Sequence, residues 1–142
     1  MNYSMFDEID YFTNLSNMND TDNNQFDESL FSPYEGYIRG NLFKNLYDGY
    51  KNFRPQRINI QNEREEMLLN IGQLSFVRHE LNLLLDNYPN NQNALMLFNR
   101  YREKELEEVE KYERKYGPIN ITSSSITSIP FAWTNDKWPW ER

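Results

Sequence analysis

Apolar residues recur with helical spacing along two consecutive stretches of the chain, which a short polar turn separates. The first stretch runs from Asn62 to Asn87. Its apolar side chains form one stripe on a helical wheel: Met67, Ile71, Leu74, Val77, Leu81, Leu84, Leu85 and Tyr88. Asn62 followed by Glu65 is typical of a helix N-terminus, and Pro89 disfavours helix at the residue before it. The pattern therefore predicts a helix over residues 62–87.

The second stretch runs from Gln92 to Tyr116 and also has one apolar face. The residues assigned to it are Ala94, Leu95, Phe98, Tyr101, Leu106, Val109, Tyr112 and Tyr116. Asn90 or Asn91 can cap its start, and Gly117 fits a left-handed C-cap. The short connection predicts a mainly α fold, an antiparallel two-helix hairpin. Its helices are expected to meet through Leu74, Val77, Leu81, Phe98, Tyr101 and Val109.

The first helix carries a second apolar face, which lies opposite its main stripe. Leu69, Phe76 and Leu83 recur there at heptad spacing, with Gly72 between them. One partner helix covers only one side of a helix, so this face requires another cover. Polar residues interrupt the main stripes, namely Asn70 and Arg78 on the first helix and Arg102 and Glu105 on the second.

The pattern divides the chain into four parts. Residues 1–29 hold seven acidic residues and no Lys or Arg, which predicts a disordered acidic arm. Residues 30–61 form an aromatic strap, residues 62–117 the helical hairpin, and residues 118–142 an extended Trp-rich tail. Two helices share one interface and enclose little apolar volume, so a third layer is expected from the flanks or from a partner.

Both flanks have side chains that suit either a core or an interface. The strap has seven aromatic residues between positions 31 and 53, and a helical turn around residues 42–50 would align Phe43, Tyr47 and Tyr50. The tail has all three Trp residues, Trp133, Trp138 and Trp140. Each flank either packs on the hairpin or docks on a partner. Our hypothesis is that the Leu69–Phe76–Leu83 face and the Trp tail together form a recruitment surface.

Composition narrows the class of function. The formal net charge is -7, and beyond the acidic arm the chain balances fifteen basic against fifteen acidic residues, which argues against nucleic-acid binding. There is no Cys, no apolar run of membrane-spanning length and no signal-like N-terminus. These features predict a cytoplasm-type compartment, or deposition from it into a larger assembly.

Candidate chemistry is sparse. His79 is the only histidine, and position 76 is Phe, so the Glu-x-x-His unit of a di-metal helical bundle is missing. No phosphate-binding glycine loop and no Ser-His-Asp arrangement is present. We therefore predict no catalytic, cofactor-binding or metal-binding residue, and we expect a binding or assembly module rather than an enzyme.

Several segments resemble the CotJB family of spore coat-associated proteins. The likeness covers residues 62–142. It includes the run from Ile71 to Asn91, Ala94, Phe98-Asn99, Lys115-Tyr116-Gly117-Pro118 and Trp138-Pro139-Trp140. Residues 31–53 more loosely resemble CotJA, through Gly40 to Tyr50. Gly49 stands where that family has proline.

The resemblance implies a non-enzymatic structural component of the spore coat. It would be made in the mother cell cytoplasm, laid onto the forespore and associated with other coat proteins. These would include a manganese-catalase-like protein, which would hold any metal, and a CotJA-like protein. A cytoplasmic adapter or regulator and a non-catalytic enzyme subunit stay as alternatives, and homo-oligomerisation is left open. The predicted partner-binding residues are Leu69, Phe76, Leu83, Phe43, Tyr47, Tyr50, Trp133, Trp138 and Trp140.

Overall fold

The computed structural model describes residues 29–46 and 51–134. These residues form three α-helices: α1 over Pro33–Arg39, α2 over Glu63–Asn87 and α3 over Gln92–Tyr116. Two short 3-10 helices follow, Ser124–Thr127 and Ala132–Thr134. The described part of the chain contains no β-strand beyond an isolated bridge between Leu30 and Phe43. The mainly α fold built on a hairpin of two long helices is confirmed. The acidic arm lies outside the described residues.

Local hydrogen bonds set the start of α2 where the sequence predicts it. The Asn62 side-chain oxygen accepts a hydrogen bond from the backbone N–H of Glu65 at 2.9 Å. The Glu65 carboxylate in turn accepts one from the backbone N–H of Gln61 at 2.7 Å. This reciprocal arrangement satisfies amide groups that the first helical turn leaves without partners.

The ends of α3 are also fixed locally, but the C-terminal end differs from the expectation. Asn91 caps the start by accepting a hydrogen bond from the Ala94 N–H at 2.9 Å. Gly117 has φ 95° and ψ 178°, so it is not in the left-handed helical region that was predicted. These angles are accessible essentially only to glycine. Gly117 therefore turns the chain sharply out of the helix towards the tail.

The core lies along the seam between α2 and α3. It contains Leu74, Val77, Leu81 and Leu84 of α2 with Ala94, Leu97 and Tyr101 of α3. The prediction for α3 placed its face too far round the helix: Leu97 is buried, whereas Leu95 and Leu106 are 47% and 57% exposed. The true face passes through Glu105 and Glu108, and charged residues at its centre hid it in the sequence pattern.

The polar residues that interrupt the two stripes pair with each other across the seam. Arg78 of α2 donates a hydrogen bond from its Nε to the Glu105 carboxylate of α3. The Glu105 side chain is only 16% exposed, and that of Arg78 is 34% exposed. The pair compensates charge that the seam partly removes from water.

Residues 29–46, at the start of the predicted aromatic region, fold into a closed loop that contains α1, and this loop is called the strap below. The backbone N–H of Phe31 donates to the Leu42 carbonyl at 2.8 Å, and that of Lys44 donates to the Ser29 carbonyl at 2.9 Å. The regular helix lies in the first half of this loop, earlier than the turn predicted near residues 42–50. Residues 44–46 form a turn, and Tyr47 and Tyr50 lie outside the described residues.

This loop packs on α2 of its own chain. Leu30, Leu42 and Phe43 are buried in the same cluster as the seam residues. The Tyr37 ring meets Phe76 edge-on at a centroid distance of 6.0 Å. A β-carbon at Gly72 would lie only 3.1 Å from the Tyr37 hydroxyl, so glycine gives Tyr37 its close approach to the helix. Of the two alternatives for the strap, the described residues show packing on the hairpin.

Candidate partner-binding surfaces

A single carboxylate holds the first part of the tail against α3. Glu113 accepts hydrogen bonds from the backbone N–H of Ile119 at 3.1 Å and from the Ser125 hydroxyl at 3.3 Å. It also accepts one from the Ser123 hydroxyl. Three donors on one ionised acceptor make a charge-assisted anchor. The sequence pattern did not predict this contact, and the Ser-rich run after Pro118 was the available signal for it.

The end of the hairpin where α2 begins and α3 ends is joined by polar and aromatic contacts. Arg64 donates a hydrogen bond to the Tyr112 hydroxyl at 2.8 Å. Its guanidinium also lies 5.7 Å from the centre of the Tyr116 ring. Glu63 pairs with Lys115, and this hydrogen bond raises the pKa of the Lys115 ammonium above its ordinary value. A buried ring, that of Tyr112, and the more exposed side chains of Arg64, Glu63 and Lys115 thus join the two helices at this end.

A groove of about 500 Å³ lies at this end, between the hairpin and the tail. Its walls combine aromatic, aliphatic and basic side chains, and they comprise Arg64, Leu68, Tyr112, Tyr116, Gly117, Pro118, Ile119, Ala132 and Trp133. Such a mixture of a flat ring surface and a cation suits an aromatic or proline-containing segment. The groove is an open surface feature, because Leu68 and Trp133 remain 42% and 41% exposed.

The tail leaves large apolar side chains in water. Ile121 is 67% exposed, Ile129 99%, Phe131 47% and Trp133 41%. Apolar side chains concentrated in one short segment, without a core of their own, are typical of interaction sites. Trp is also the residue type most enriched in binding hot spots.

The second apolar face of α2 is partly covered by the chain itself. Leu69 is 8% exposed, Phe76 is half-buried beneath Tyr37, and Leu83 remains 46% exposed. The cover over Phe76 is Tyr37 of the strap. Of the three residues predicted for this face, Phe76 packs against the common core, whereas Leu69 is buried outside that cluster.

The predicted site residues do not come together as one surface. Leu83 and Leu68 are about 22 Å apart along α2 at ~1.5 Å per residue, and Trp133 lies at the Leu68 end. Phe43 is 4% exposed within the core, so it has no free surface for a partner in this conformation. Tyr47, Tyr50, Trp138 and Trp140 lie outside the described residues.

The described residues show neither a cluster of metal-binding side chains nor a helix that could span a membrane. Across residues 29–46 and 51–134, no three His, Asp or Glu side chains cluster closely enough to hold a metal ion. None of the helices formed there has the length and apolar character needed to cross a membrane.

Comparison with known proteins places the chain in a family. The sequence model described as CotJB protein matches residues 65–141, which is more than half of the 142 residues. The match does not reach residues 31–53, and the likeness of that segment to CotJA is not confirmed. No curated protein and no solved structure matches the chain. The chain therefore belongs to the CotJB family of spore coat-associated proteins.

Proposed function

We propose that this chain is a structural assembly protein of the spore coat that holds other coat components through its C-terminal tail. The observation that carries the proposal is the arrangement around Glu113. One carboxylate fixes the tail on α3, while Phe131 and Trp133 beyond it stay about half exposed. An anchored segment presents its apolar side chains at a lower entropic cost than a free one.

The proposal assigns a role to each part of the chain. The acidic arm, residues 1–29, and the aromatic region, residues 30–61, precede a hairpin scaffold at residues 62–117, and the tail at residues 118–142 binds partners. The recruitment residues are Trp133, Trp138 and Trp140, with Leu83, the exposed edge of Phe76, Tyr47 and Tyr50 as further contacts. Leu69 and Phe43 are left out because the chain buries them.

The proposed partners are other coat proteins, among them a manganese-catalase-like protein and a CotJA-like protein. Family membership supports coat partners in general. The chain's own surface supports an apolar, aromatic-binding contact rather than a charged one, since its exposed tail residues carry no charge between Asn120 and Thr134. Any metal in such a complex would belong to the catalase-like partner.

A pull-down from sporulating cells tests this function, with the full chain as bait. Trp133→Ser is compared with Leu106→Ser, which removes an apolar side chain of similar exposure from α3. Loss of a hot-spot Trp is expected to lower recovery of coat proteins about 30-fold, equivalent to ~2 kcal/mol, while Leu106→Ser leaves recovery unchanged.

Three results would contradict the proposal. Equal recovery with both variants would remove the tail as the binding site. Capture of cytoplasmic regulators without coat proteins would favour an adapter. Stoichiometric metal or an activity in the purified chain would favour an enzyme subunit.

A further inference from the structure

We infer that the strap, residues 29–46, is an exchangeable docking segment that binds α2 of its own chain when dilute and α2 of a second copy when concentrated. The partner on this surface is thus another molecule of the same protein. The contact differs from the tail surface and does not depend on the coat recruitment proposed above, although Phe76 belongs to both sets of residues.

The strap is held in its shape by contacts among its own residues. Two backbone hydrogen bonds join its ends, and Ser32 caps α1 by accepting from the Glu35 N–H at 3.3 Å. Gly40, at φ 68°, ends α1 in the left-handed region. The Phe31 ring lies 4.8 Å from the Arg39 guanidinium. These contacts are internal to the strap, so it can keep its shape when it is transferred between chains.

The docked surface is compact and lies on α2. Tyr37 rests on Gly72 and against the edge of Phe76, and the backbone N–H of Leu42 donates to the Glu80 carboxylate at 3.4 Å. Leu42 is fully buried in the joint cluster. None of these contacts requires that strap and hairpin share a chain, so a second copy offers the same interface.

The connection between strap and hairpin permits the exchange. Fifteen residues, 47–61, separate them. Of residues 51–61, all are exposed except Pro55 and Ile60, which are intermediate. A tether of about this length gives the strap an effective concentration on the order of millimolar at its own hairpin. Docking between copies therefore competes only where the protein itself approaches that concentration, as in a densely packed assembly.

The family match covers one side of this interface and not the other. It begins at residue 65, so it contains the α2 surface but not the strap. The strap nevertheless supplies Leu30, Leu42 and Phe43 to the core of the hairpin. A docking surface within the common module, filled here by a segment from outside it, is the arrangement expected of a site that accepts a separable segment.

A complementation experiment tests the exchange with full-length chains. In the site-blocked variant, Gly72→Arg places a side chain where the Tyr37 ring lies, and it leaves the strap intact. In the strap-blocked variant, Leu42→Asp prevents docking and leaves the α2 surface open. Neither variant can dock its strap on its own hairpin. Association in the mixture therefore measures docking between two chains, without competition from docking within one chain. His79→Arg, an exposed substitution on α2, is the control for Gly72→Arg.

The expected result is a 1:1 complex in the mixture, seen as a doubling of molar mass in light scattering. Well below about 1 mM, each variant alone, and the mixture of His79→Arg with Leu42→Asp, should keep the mass of one chain. Tyr37→Asp is a second strap-blocked variant, and it keeps the core side chain of Leu42. It replaces Leu42→Asp if that substitution lowers the helix content. A mixture that stays monomeric up to about 1 mM would overturn the inference. Equal self-association of either variant alone would also overturn it, because the contact would then be unspecific.

Discussion

The two segments that flank the hairpin have similar apolar content but contact it by different physics. The strap, residues 29–46, buries Leu30, Leu42 and Phe43 in the common core. The described tail, residues 118–134, is tied to α3 mainly by hydrogen bonds to Glu113 and leaves Ile129 and Trp133 exposed. The strap therefore contributes to stability, whereas the tail is a presented surface.

The comparison shows why aromatic content alone does not distinguish a core from an interface. The strap can bury its residues because two glycines, Gly36 and Gly72, let the segments approach within side-chain contact. The tail has no such close approach at its glycine, since Gly117 has open space around it. It has a run of hydroxyl groups instead, and those of Ser123 and Ser125 donate hydrogen bonds to the Glu113 carboxylate.

The largest predicted effect compares two aliphatic truncations, one in each flank. Leu42 is 0% exposed and Ile129 is 99% exposed. Leu42→Ala is expected to lower the free energy of unfolding by ~2–5 kcal/mol, because it leaves a cavity in the core. Ile129→Ala is expected to change it by less than about 0.5 kcal/mol. Urea denaturation followed by far-UV circular dichroism measures both. If the two variants lower the free energy of unfolding by similar amounts, the strap and the tail do not differ in their contribution to stability.

The next effect separates the tail from the hairpin. Glu113→Ala removes the acceptor of three hydrogen bonds and is expected to weaken tail docking by roughly 1–3 kcal/mol. The amides of the tail segment should then exchange ~10- to 100-fold faster in hydrogen–deuterium exchange, while those of α2 keep their protection.

Glu110→Ala is the matched control for this change. Glu110 lies on the same helix and, among the described residues, forms an exposed ion pair with Arg114 at 3.7 Å. It should leave tail exchange unchanged, because such pairs contribute little. Faster exchange in both variants would mean that loss of helix charge, rather than the Glu113 anchor, loosens the tail.

The elements were predictable from sequence where local chemistry decides them. Asn62 and Asn91 cap their helices as expected, and the helix bounds agree with the predicted 62–87 and 92–116. Partnerships across the fold were not predictable. Nothing in the spacing of Arg78 and Glu105 showed that they pair, and only the docked strap explains why glycine stands at position 72. Tertiary contact decides these features, and a periodic pattern carries no information on which surfaces meet.

The core that the strap completes is also expected to respond to alkaline pH. Burial raises the pKa of the Tyr101 phenol well above its ordinary value of about 10. Above pH ~10 the unfolded chain loses this proton and the folded chain keeps it, so the stability that neutral Tyr101 supplies is lost as pH rises. Tyr101→Phe should reduce the slope of stability against pH above 10 by up to about 1.4 kcal/mol per pH unit. An unchanged slope, measured by urea denaturation at several pH values, would mean that groups other than Tyr101 cause the loss of stability at alkaline pH.

The smallest effect on stability is expected from the acidic segment that precedes the strap. The strap closes at Ser29, whose carbonyl accepts the Lys44 N–H at 2.9 Å, so removal of residues 1–28 leaves that contact in place. The deleted segment holds seven acidic and no basic residues, and the remaining chain balances fifteen against fifteen. The melting temperature should therefore change by less than about 2 °C, whereas solubility near neutral pH should fall because net charge approaches zero. A control with the seven acidic residues replaced by Ser or Asn keeps the length and removes the charge, and it should lose solubility equally. A large drop in melting temperature on deletion would show instead that the segment packs on the strap or the hairpin.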